Sequence, residues 1–167
     1  DQHAAHEKIL YERLMKQFHE KTYHSQMIMP PVILTLSLRE EQILKENWKT
    51  FTALGYEIEE FGGKEYKVTG LPAELPTVID CKQLLIELID TIADESATHD
   101  PERITEKVAS MSCKAAVKGG SRLSTAEANE LIDQLLNLEN PYACPHGRPT
   151  IITMTKYELE KKFKRIV

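Results

Sequence analysis

The sequence contains few of the residues that mark disulfide-stabilised or membrane-spanning proteins. Its three cysteines, Cys81, Cys113 and Cys144, are odd in number and far apart, so they do not form the disulfide framework of a small secreted domain. No run of about 18 apolar residues is present, which argues against a membrane-spanning helix. No basic and then apolar segment opens the chain, so no secretory signal is expected. We therefore expect a reducing compartment in which the thiols are free to bind metal.

The chain also lacks a net positive charge. The formal net charge is −5, which argues against a broad phosphate-binding surface. Basic residues cluster only near the end, in Lys161-Lys162-Phe163-Lys164-Arg165, so any nucleic-acid contact there would be local. Hydrophobic residues make up 41% of the 167 residues, which is ordinary for a folded protein and leaves room for one domain or two small lobes.

Capping residues, prolines and glycines divide the chain into helices and strands. The pattern predicts a first helix from Gln2 to about Lys21. An apolar string from Ser25 to Pro31 follows, and its two prolines favour an extended linker. This string is a candidate docking peptide, and the alternative is a strand or linker that packs on its own domain.

The next part of the chain predicts a small lobe of order β-α-β-β-α, from about Pro31 to about His99. Its elements are a strand at Val32–Leu36, a helix from the Ser37 capping box to Gly55, a hairpin of Tyr56–Phe61 and Lys64–Thr69, and a helix from Asp80 to about Ala93. Three further helices are predicted to begin at Asp100-Pro101, Ser124 and Thr155, with the first ending before Gly119-Gly120 and a strand at Thr150–Met154 preceding the last.

The first dozen residues carry a possible half of a metal site. In a helix, His3 and Glu7 lie four residues apart and share one face. Asp1 stands at the helix entrance, a favoured place for a capping carboxylate. An apolar stripe that starts with Ile9 and Leu10 can press this helix onto a core. Two acids and an imidazole at the mouth of an anchored helix are plausible metal ligands.

The second half of the site is expected in Cys144-Pro145-His146-Gly147-Arg148-Pro149. The prolines force the backbone out of a helix, and Gly147 permits positive φ, so the loop can aim the thiol and the imidazole at one point. Cysteine and histidine together favour zinc, while the carboxylates of Asp1 and Glu7 also suit manganese.

Each of these features has a simpler interpretation. An isolated Cys-x-His is more often a buried thiol beside a hydrogen-bonded histidine, and only its combination with the opening helix favours a metal site. Cys113, near the end of an amphipathic helix, is by default a small buried thiol. Arg148 and Arg165 could hold phosphate or form structural ion pairs.

Four motifs in a fixed order resemble those of one family. Asp1-Gln2-His3-Ala4 with Glu7 and Glu12 resembles the metal-binding motif of the endonuclease-type MutL C-terminal domain of DNA mismatch repair. Ser112-Cys113-Lys114 resembles the short cysteine motif of this family. Cys144 to Pro149 resembles its Cys-Pro-His-Gly-Arg-Pro loop, and Phe163-Lys164-Arg165 resembles its Phe-x-Arg motif.

The resemblance implies a two-lobed α+β fold. Residues 1–30 and 100–167 would form a dimerisation and endonuclease lobe, and residues 31–99 an inserted external, regulatory lobe. Family members have strands immediately before the opening motif, so part of the dimerising sheet is expected to lie outside this sequence. They also carry an N-terminal ATPase domain, which is missing here, so we expect weak DNA binding by this part in isolation.

The resemblance further implies a divalent-metal-dependent enzyme that nicks one DNA strand. Asp1, His3 and Glu7 would be catalytic. The implied metal-site residues are Asp1, His3, Glu7, Cys113, Cys144 and His146, and the implied supporting residues are Glu12, Arg148 and Arg165. Zinc would be structural or regulatory, and manganese would support nicking.

The partners implied are a second copy of the chain, double-stranded DNA, the replication sliding clamp and other mismatch-repair proteins, in the bacterial cytoplasm at the nucleoid and without a membrane. The family's clamp-binding string has the form Gln-x-Met-Ile-Val-Pro, and its counterpart here is Gln26-Met27-Ile28-Met29-Pro30. Ser25 occupies the family's glutamine position, and Gln26 comes one residue late. The alternative function is a non-catalytic, zinc-stabilised module for dimerisation and clamp docking.

Overall fold

The computed structural model describes residues 1–76, 79–95, 100–117 and 122–166. Within these ranges the fold is α+β, with seven helices and one three-stranded antiparallel sheet. In chain order the elements are α1 (Gln2–Glu20), β1 (Ser25–Thr35), α2 (Leu38–Glu46), α3 (Trp48–Ala53), β2 (Glu57–Gly62), β3 (Glu65–Pro72), α4 (Cys81–Glu95), α5 (Pro101–Ala116), α6 (Thr125–Leu136) and α7 (Lys156–Lys162). The boundaries predicted at His99 and at Gly119-Gly120 fall outside the described residues. No helix in the described ranges is long and apolar enough to cross a membrane.

The helices begin where capping residues predicted them. Ser37, Ser124 and Thr155 each complete a capping box. The side chain of the cap accepts from the backbone nitrogen three residues on, and the glutamate at that position accepts from the backbone nitrogen of the cap. Asp1 and Asp100 cap α1 and α5 through their carboxylates. Each cap satisfies a backbone N–H that would otherwise have no partner inside its helix. The predicted helix starts at these five positions are confirmed.

The single helix predicted between Ser37 and Gly55 is divided in two. Asn47 separates α2 from α3, and its Nδ2 donates to the carbonyl of Ile43 at 2.9 Å. Gly55 then redirects the chain with φ +95°, and a Cβ at this position would lie 2.7 Å from the carbonyl oxygen of His24. A larger residue would therefore meet both backbone strain and a direct clash.

Strand β3 is the centre of the sheet, with β1 and β2 on either side. Ser25 pairs with Pro72 at one end of β1 and Val32 pairs with Val68 further along, with an irregularity between Met27 and Val32. The alternative of a strand that packs on its own domain is therefore confirmed for Ser25 to Pro31, and the interpretation as a linker is wrong. The prolines are tolerated because β1 is an edge strand, where a missing N–H need not break a ladder.

Residues 150–154 do not form the predicted strand. The described structure has only an isolated bridge before them, between Ala143 and Pro149, and Ile152 is 75% exposed. β-branched residues favour a strand only when a neighbouring strand supplies hydrogen bonds and a surface to pack on. No described segment supplies that partner here, so this prediction is wrong for the structure at hand.

Two clusters of buried apolar residues hold the elements together. The larger cluster joins the sheet to the five helices α1, α2, α3, α4 and α5. The smaller joins the first half of α1 to α6, through Ala5, Ile9, Leu131 and Leu135. Helix α1 thus packs against both α5 and α6, which fixes the position of its first two turns.

Candidate metal centre

The start of α1 presents an imidazole and a carboxylate on one face. Asp1 Oδ1 accepts from the backbone nitrogens of His3 and Ala4 at 2.8 and 3.2 Å, so the helix begins one turn before Glu7. His3 Nε2 lies 3.3 Å from Glu7 Oε1, which is the contact expected from their four-residue spacing. The nitrogen of Asp1 donates to Thr150 O at 2.7 Å and ties the helix start to the segment after the cysteine-containing loop.

That loop is a tight turn whose sequence explains its shape. The nitrogen of Gly147 donates to the carbonyl of Cys144 at 2.9 Å, and the nitrogen of Cys144 donates to the carbonyl of Arg148 at the same distance. Pro145 occupies the second turn position, where its fixed φ is favourable. Gly147 has φ +76°, a conformation that most side chains avoid. The turn directs Cys144 and His146 toward α1.

Three side chains from the two segments converge. Glu7, Cys144 and His146 each offer one ligand atom, and these atoms all lie within 4.8 Å of one another. His146 Nδ1 is 3.3 Å from Glu7 Oε2, although the two residues are 139 positions apart. Two ligands on one tetrahedral zinc are separated by roughly 3.5 Å, given bonds of about 2.0–2.3 Å. Small side-chain adjustments would close this cluster around a cation.

The Glu7 carboxylate is the electrostatic centre of this arrangement. Its side chain has no exposed surface, and Arg148 Nη2 donates to both of its oxygens, at 2.7 and 2.8 Å. The negative charge of Glu7 raises the pKa of the Arg148 guanidinium above its ordinary value. A buried carboxylate needs positively charged or hydrogen-bonding partners, because burial without them would be costly. Arg148 and the imidazoles of His3 and His146 are those partners for Glu7.

A cleft opens beside His146. Its volume is about 650 Å³, and its wall includes Pro145, His146 and Tyr11 together with the α5 residues Ser110 and Lys114. Burial raises the pKa of Tyr11 to about 12, with further increases from the charges of Glu106 and Glu12. The Tyr11 hydroxyl is therefore a neutral hydrogen-bonding group in this cleft.

Comparison with known proteins identifies the family. The family described as "MutL C terminal dimerisation domain" matches residues 1–123. The DNA mismatch repair protein MutL of Agathobacter rectalis is 55% identical over 167 residues, covering 100% of this chain and 26% of that protein. This chain belongs to the MutL C-terminal domain family. Two further MutL proteins, from Caldanaerobacter subterraneus subsp. tengcongensis and Clostridium perfringens, are 40% and 39% identical over 99% of the chain.

The chain spans about a quarter of the length of these MutL relatives, with shares of 26%, 28% and 24%. The family match covers the opening motif, the three-stranded sheet and α5. It begins with the segment that carries His3 and Glu7. The alignment with the Agathobacter rectalis protein covers the whole of this chain and so includes the Cys144–Pro149 loop.

The structure does not bring the other residues that the resemblance implicated into the Glu7–Cys144–His146 cluster. Asp1 is engaged as the α1 cap and is not in the Glu7 cluster. Cys113 is fully buried in the larger core, where burial raises the pKa of its thiol, with smaller contributions from Glu7 and Glu74. Glu12 pairs with Lys8. Arg165 is exposed beyond α7, and within the described residues it does not pair with Glu7.

Sequence reasoning missed one contact of the site. Ser110 Oγ lies 3.1 Å from His146 Nε2, and nothing in the sequence connects the two residues across 36 positions. The only available signal was that Ser110 lies three residues before Cys113, so it points to nearly the same side of α5. A helical wheel of α5 could have suggested it.

The proposed clamp-docking string lies in β1 and has two distinct faces. Met27 and Met29 are 75% and 78% exposed, and Ile28 packs against the larger core. The Gln26 amide turns inward, where Nε2 donates to Pro72 O at 3.0 Å and also to Leu75 O. Pro30 follows on the exposed side. The outward methionines are thus accessible, whereas the Gln26 side chain is already used by the fold.

Proposed function

We propose that this chain is the metal-dependent, DNA-nicking endonuclease domain of a mismatch-repair MutL homodimer. The observation that carries the proposal is the convergence of Glu7, Cys144 and His146 within 4.8 Å. A carboxylate, a thiol and an imidazole form a mixed donor set, which is more typical of a reactive metal site than of a closed structural one. The simpler explanation, a buried thiol beside a hydrogen-bonded histidine, requires neither a carboxylate within ligand distance of both groups nor the Arg148 that offsets the charge of that carboxylate.

The donor set fits the proposed cofactors. Cys144 and His146 would hold zinc as a structural or regulatory ion, and the oxygens of Glu7 and Asp1 would suit manganese during nicking. A bound divalent cation would supply a water of lowered pKa and positive charge beside the scissile phosphate. His3 and Arg148 orient the Glu7 carboxylate from two sides. Cys113, Glu12 and Arg165 remain proposed members of the wider site.

The cleft beside His146 is the proposed path of the DNA strand. Arg103, Lys107 and Lys114 line it along α5, and cationic side chains near a reactive centre can hold a phosphate backbone. Glu87 and Glu106 lie in the same wall and offset part of this charge. Weak binding by the isolated domain is therefore expected, with further DNA contacts coming from other parts of a MutL protein.

The proposed assembly is a homodimer that acts with the sliding clamp and other mismatch-repair proteins at the bacterial nucleoid. The family description names dimerisation. An apolar cleft of about 630 Å³ between α6 and Ile151, with Ile132 and Leu136 half exposed, offers a surface that a second copy would cover. The division into a catalytic lobe of residues 1–30 and 100–167 and a regulatory lobe of residues 31–99 stays part of this proposal.

The second candidate is a zinc-stabilised dimerisation and clamp-docking module without catalysis. It is favoured by the dimerisation description of the family and by the outward methionines Met27 and Met29. This module would bind zinc and unfold on chelation. It would not cleave DNA at any metal or clamp concentration.

Relaxation of supercoiled plasmid in manganese separates the two candidates. Asp1→Asn keeps a competent helix cap and removes a carboxylate charge, and Glu7→Gln neutralises the centre of the cluster. Both variants should lose nicking while circular dichroism shows an intact fold. The control is Glu20→Gln, an exposed change at the far end of the same helix, which should nick like the parent. Equal nicking by Asp1→Asn, Glu7→Gln and the parent would refute the nuclease proposal.

A further inference from the structure

His146 is held at both of its ring nitrogens. Nδ1 lies 3.3 Å from Glu7 Oε2 on α1, and Nε2 lies 3.1 Å from Ser110 Oγ on α5. The two nitrogens of an imidazole point in diverging directions, so only one of them can face the Glu7–Cys144 side. That nitrogen is Nδ1.

A neutral histidine that binds a cation through one nitrogen carries its proton on the other. The partner of that second nitrogen decides which tautomer is populated and how the ring is oriented. A serine hydroxyl can accept the hydrogen bond from Nε2–H, and it can turn its own proton elsewhere. Ser110 can therefore accept a hydrogen bond from Nε2–H once a cation occupies Nδ1.

We propose that Ser110 is a positioning residue for the metal centre: it holds His146 in the Nε2–H tautomer so that Nδ1 faces the cation shared with Glu7 and Cys144. The inference rests on the proposed metal site and adds a residue outside the four motifs. Ser110 acts through His146 and does not itself contact the cation.

The position of Ser110 in the fold restricts the orientation of the His146 ring. Helix α5 packs against both α1 and α4, and Val108 and Ala109 next to Ser110 are fully buried. The Ser110 backbone is therefore fixed relative to Glu7. The His146 side chain, at the tip of a surface turn and about a quarter exposed, gains a contact with a rigid helix that the turn alone does not provide.

The first test is zinc affinity, measured by competition with a chromophoric chelator. Loss of an outer partner of a metal-binding histidine typically weakens metal binding by about 10–100-fold, and Ser110→Ala should show a loss in this range. Ser110→Thr retains a hydroxyl and should bind zinc within a few-fold of the parent. Thr105→Ala, five residues earlier on α5, removes a hydroxyl that donates to the Pro101 carbonyl. It should lower thermal stability and leave zinc affinity unchanged.

The second test is the ¹⁵N spectrum of the histidine rings in the zinc-loaded protein. The parent should show His146 bound through Nδ1, with its proton on Nε2, and Ser110→Ala should show a broadened or mixed pattern. Zinc bound through Nε2, or parent-like affinity and spectrum in Ser110→Ala, would overturn the inference while leaving the nuclease proposal standing. Failure of the parent to bind zinc would overturn the inference and the zinc part of the proposed site, while plasmid relaxation in manganese would still decide the nuclease proposal.

Discussion

Arg148 and Glu7 are 141 positions apart in the chain, yet a single guanidinium nitrogen of Arg148 donates to both oxygens of the Glu7 carboxylate, at 2.7 and 2.8 Å. The Arg148 side chain is 45% exposed, whereas that of Glu7 has no exposed surface. Arg148 therefore places a positive charge directly against a buried negative charge. A metal ion at the proposed site would take over part of that role.

This relationship predicts a metal-dependent effect of Arg148→Ala. In chelator, the variant should melt at a lower temperature than the parent, because the buried carboxylate loses its fixed positive partner. At saturating zinc the difference should shrink, since the cation then compensates Glu7. Differential scanning calorimetry in both conditions measures this. Arg39→Ala removes an exposed ion pair, Arg39–Asp94 at 4.0 Å, and should have little effect in either. An equal decrease for Arg148→Ala in both conditions would disprove the idea.

The two faces of β1 predict different outcomes for neighbouring substitutions. Met29→Asp should weaken binding to a sliding clamp at least tenfold without changing stability, because Met29 is 78% exposed. Ile28→Asp should weaken binding and also destabilise the protein, since Ile28 packs against the core. Thr35→Asp, exposed on the same strand, is the matched control. Calorimetric titration with the clamp provides the affinities, and clamp binding by Met29→Asp equal to that of the parent would exclude this face as the docking surface.

The cleft along α5 predicts a specific effect of charge on DNA binding. Lys114→Glu should reduce DNA affinity several-fold and flatten its dependence on salt concentration, because one phosphate contact releases about one counterion. Lys49→Glu makes the same charge change on α3, away from the cleft, and reports the effect of net charge alone. Fluorescence anisotropy across a salt series distinguishes the two variants. Identical curves for them would mean that DNA does not run along this wall.

The buried thiol of Cys81 predicts a pH dependence of stability. Burial, with a smaller effect from Asp80, raises the pKa of Cys81 to about 12 from an ordinary value of 9.0. Between these values the unfolded thiol has lost its proton and the folded one retains it, so the unfolded state binds fewer protons. The free energy of unfolding should therefore fall as pH rises through this window.

Cys81→Ala should remove this contribution. Urea unfolding between about pH 9 and pH 12, in chelator, should show a shallower loss of stability for the variant than for the parent. Tyr56 and Cys113 also titrate at high pH, but they are present in both proteins, so the difference in slope isolates Cys81. Parallel curves would show that this thiol keeps an ordinary pKa in the folded state.

Local chemistry predicted the helices well and the strands only in part. The caps at Ser37, Ser124 and Thr155 act within four residues of the chain, so the sequence contains all that they need. The predicted strand at Thr150–Met154 is wrong, and at Ser25–Pro31 the structure confirms the strand alternative and not the linker. Both outcomes depend on a distant segment: β3 lies beside Ser25, whereas none of the described segments pairs with Thr150–Met154.

Local sequence is enough to place the site residues on their own elements: His3 and Glu7 share a helix face because of their spacing, and Pro145 and Gly147 form a turn because of their backbone preferences. The meeting of these two elements, the Arg148–Glu7 pair and the Ser110–His146 contact arise only in the folded protein. Side-chain spacing acts over one or two helical turns. Contacts across more than a hundred residues arise from the packing of α1 against α5 and α6, which depends on the whole buried core.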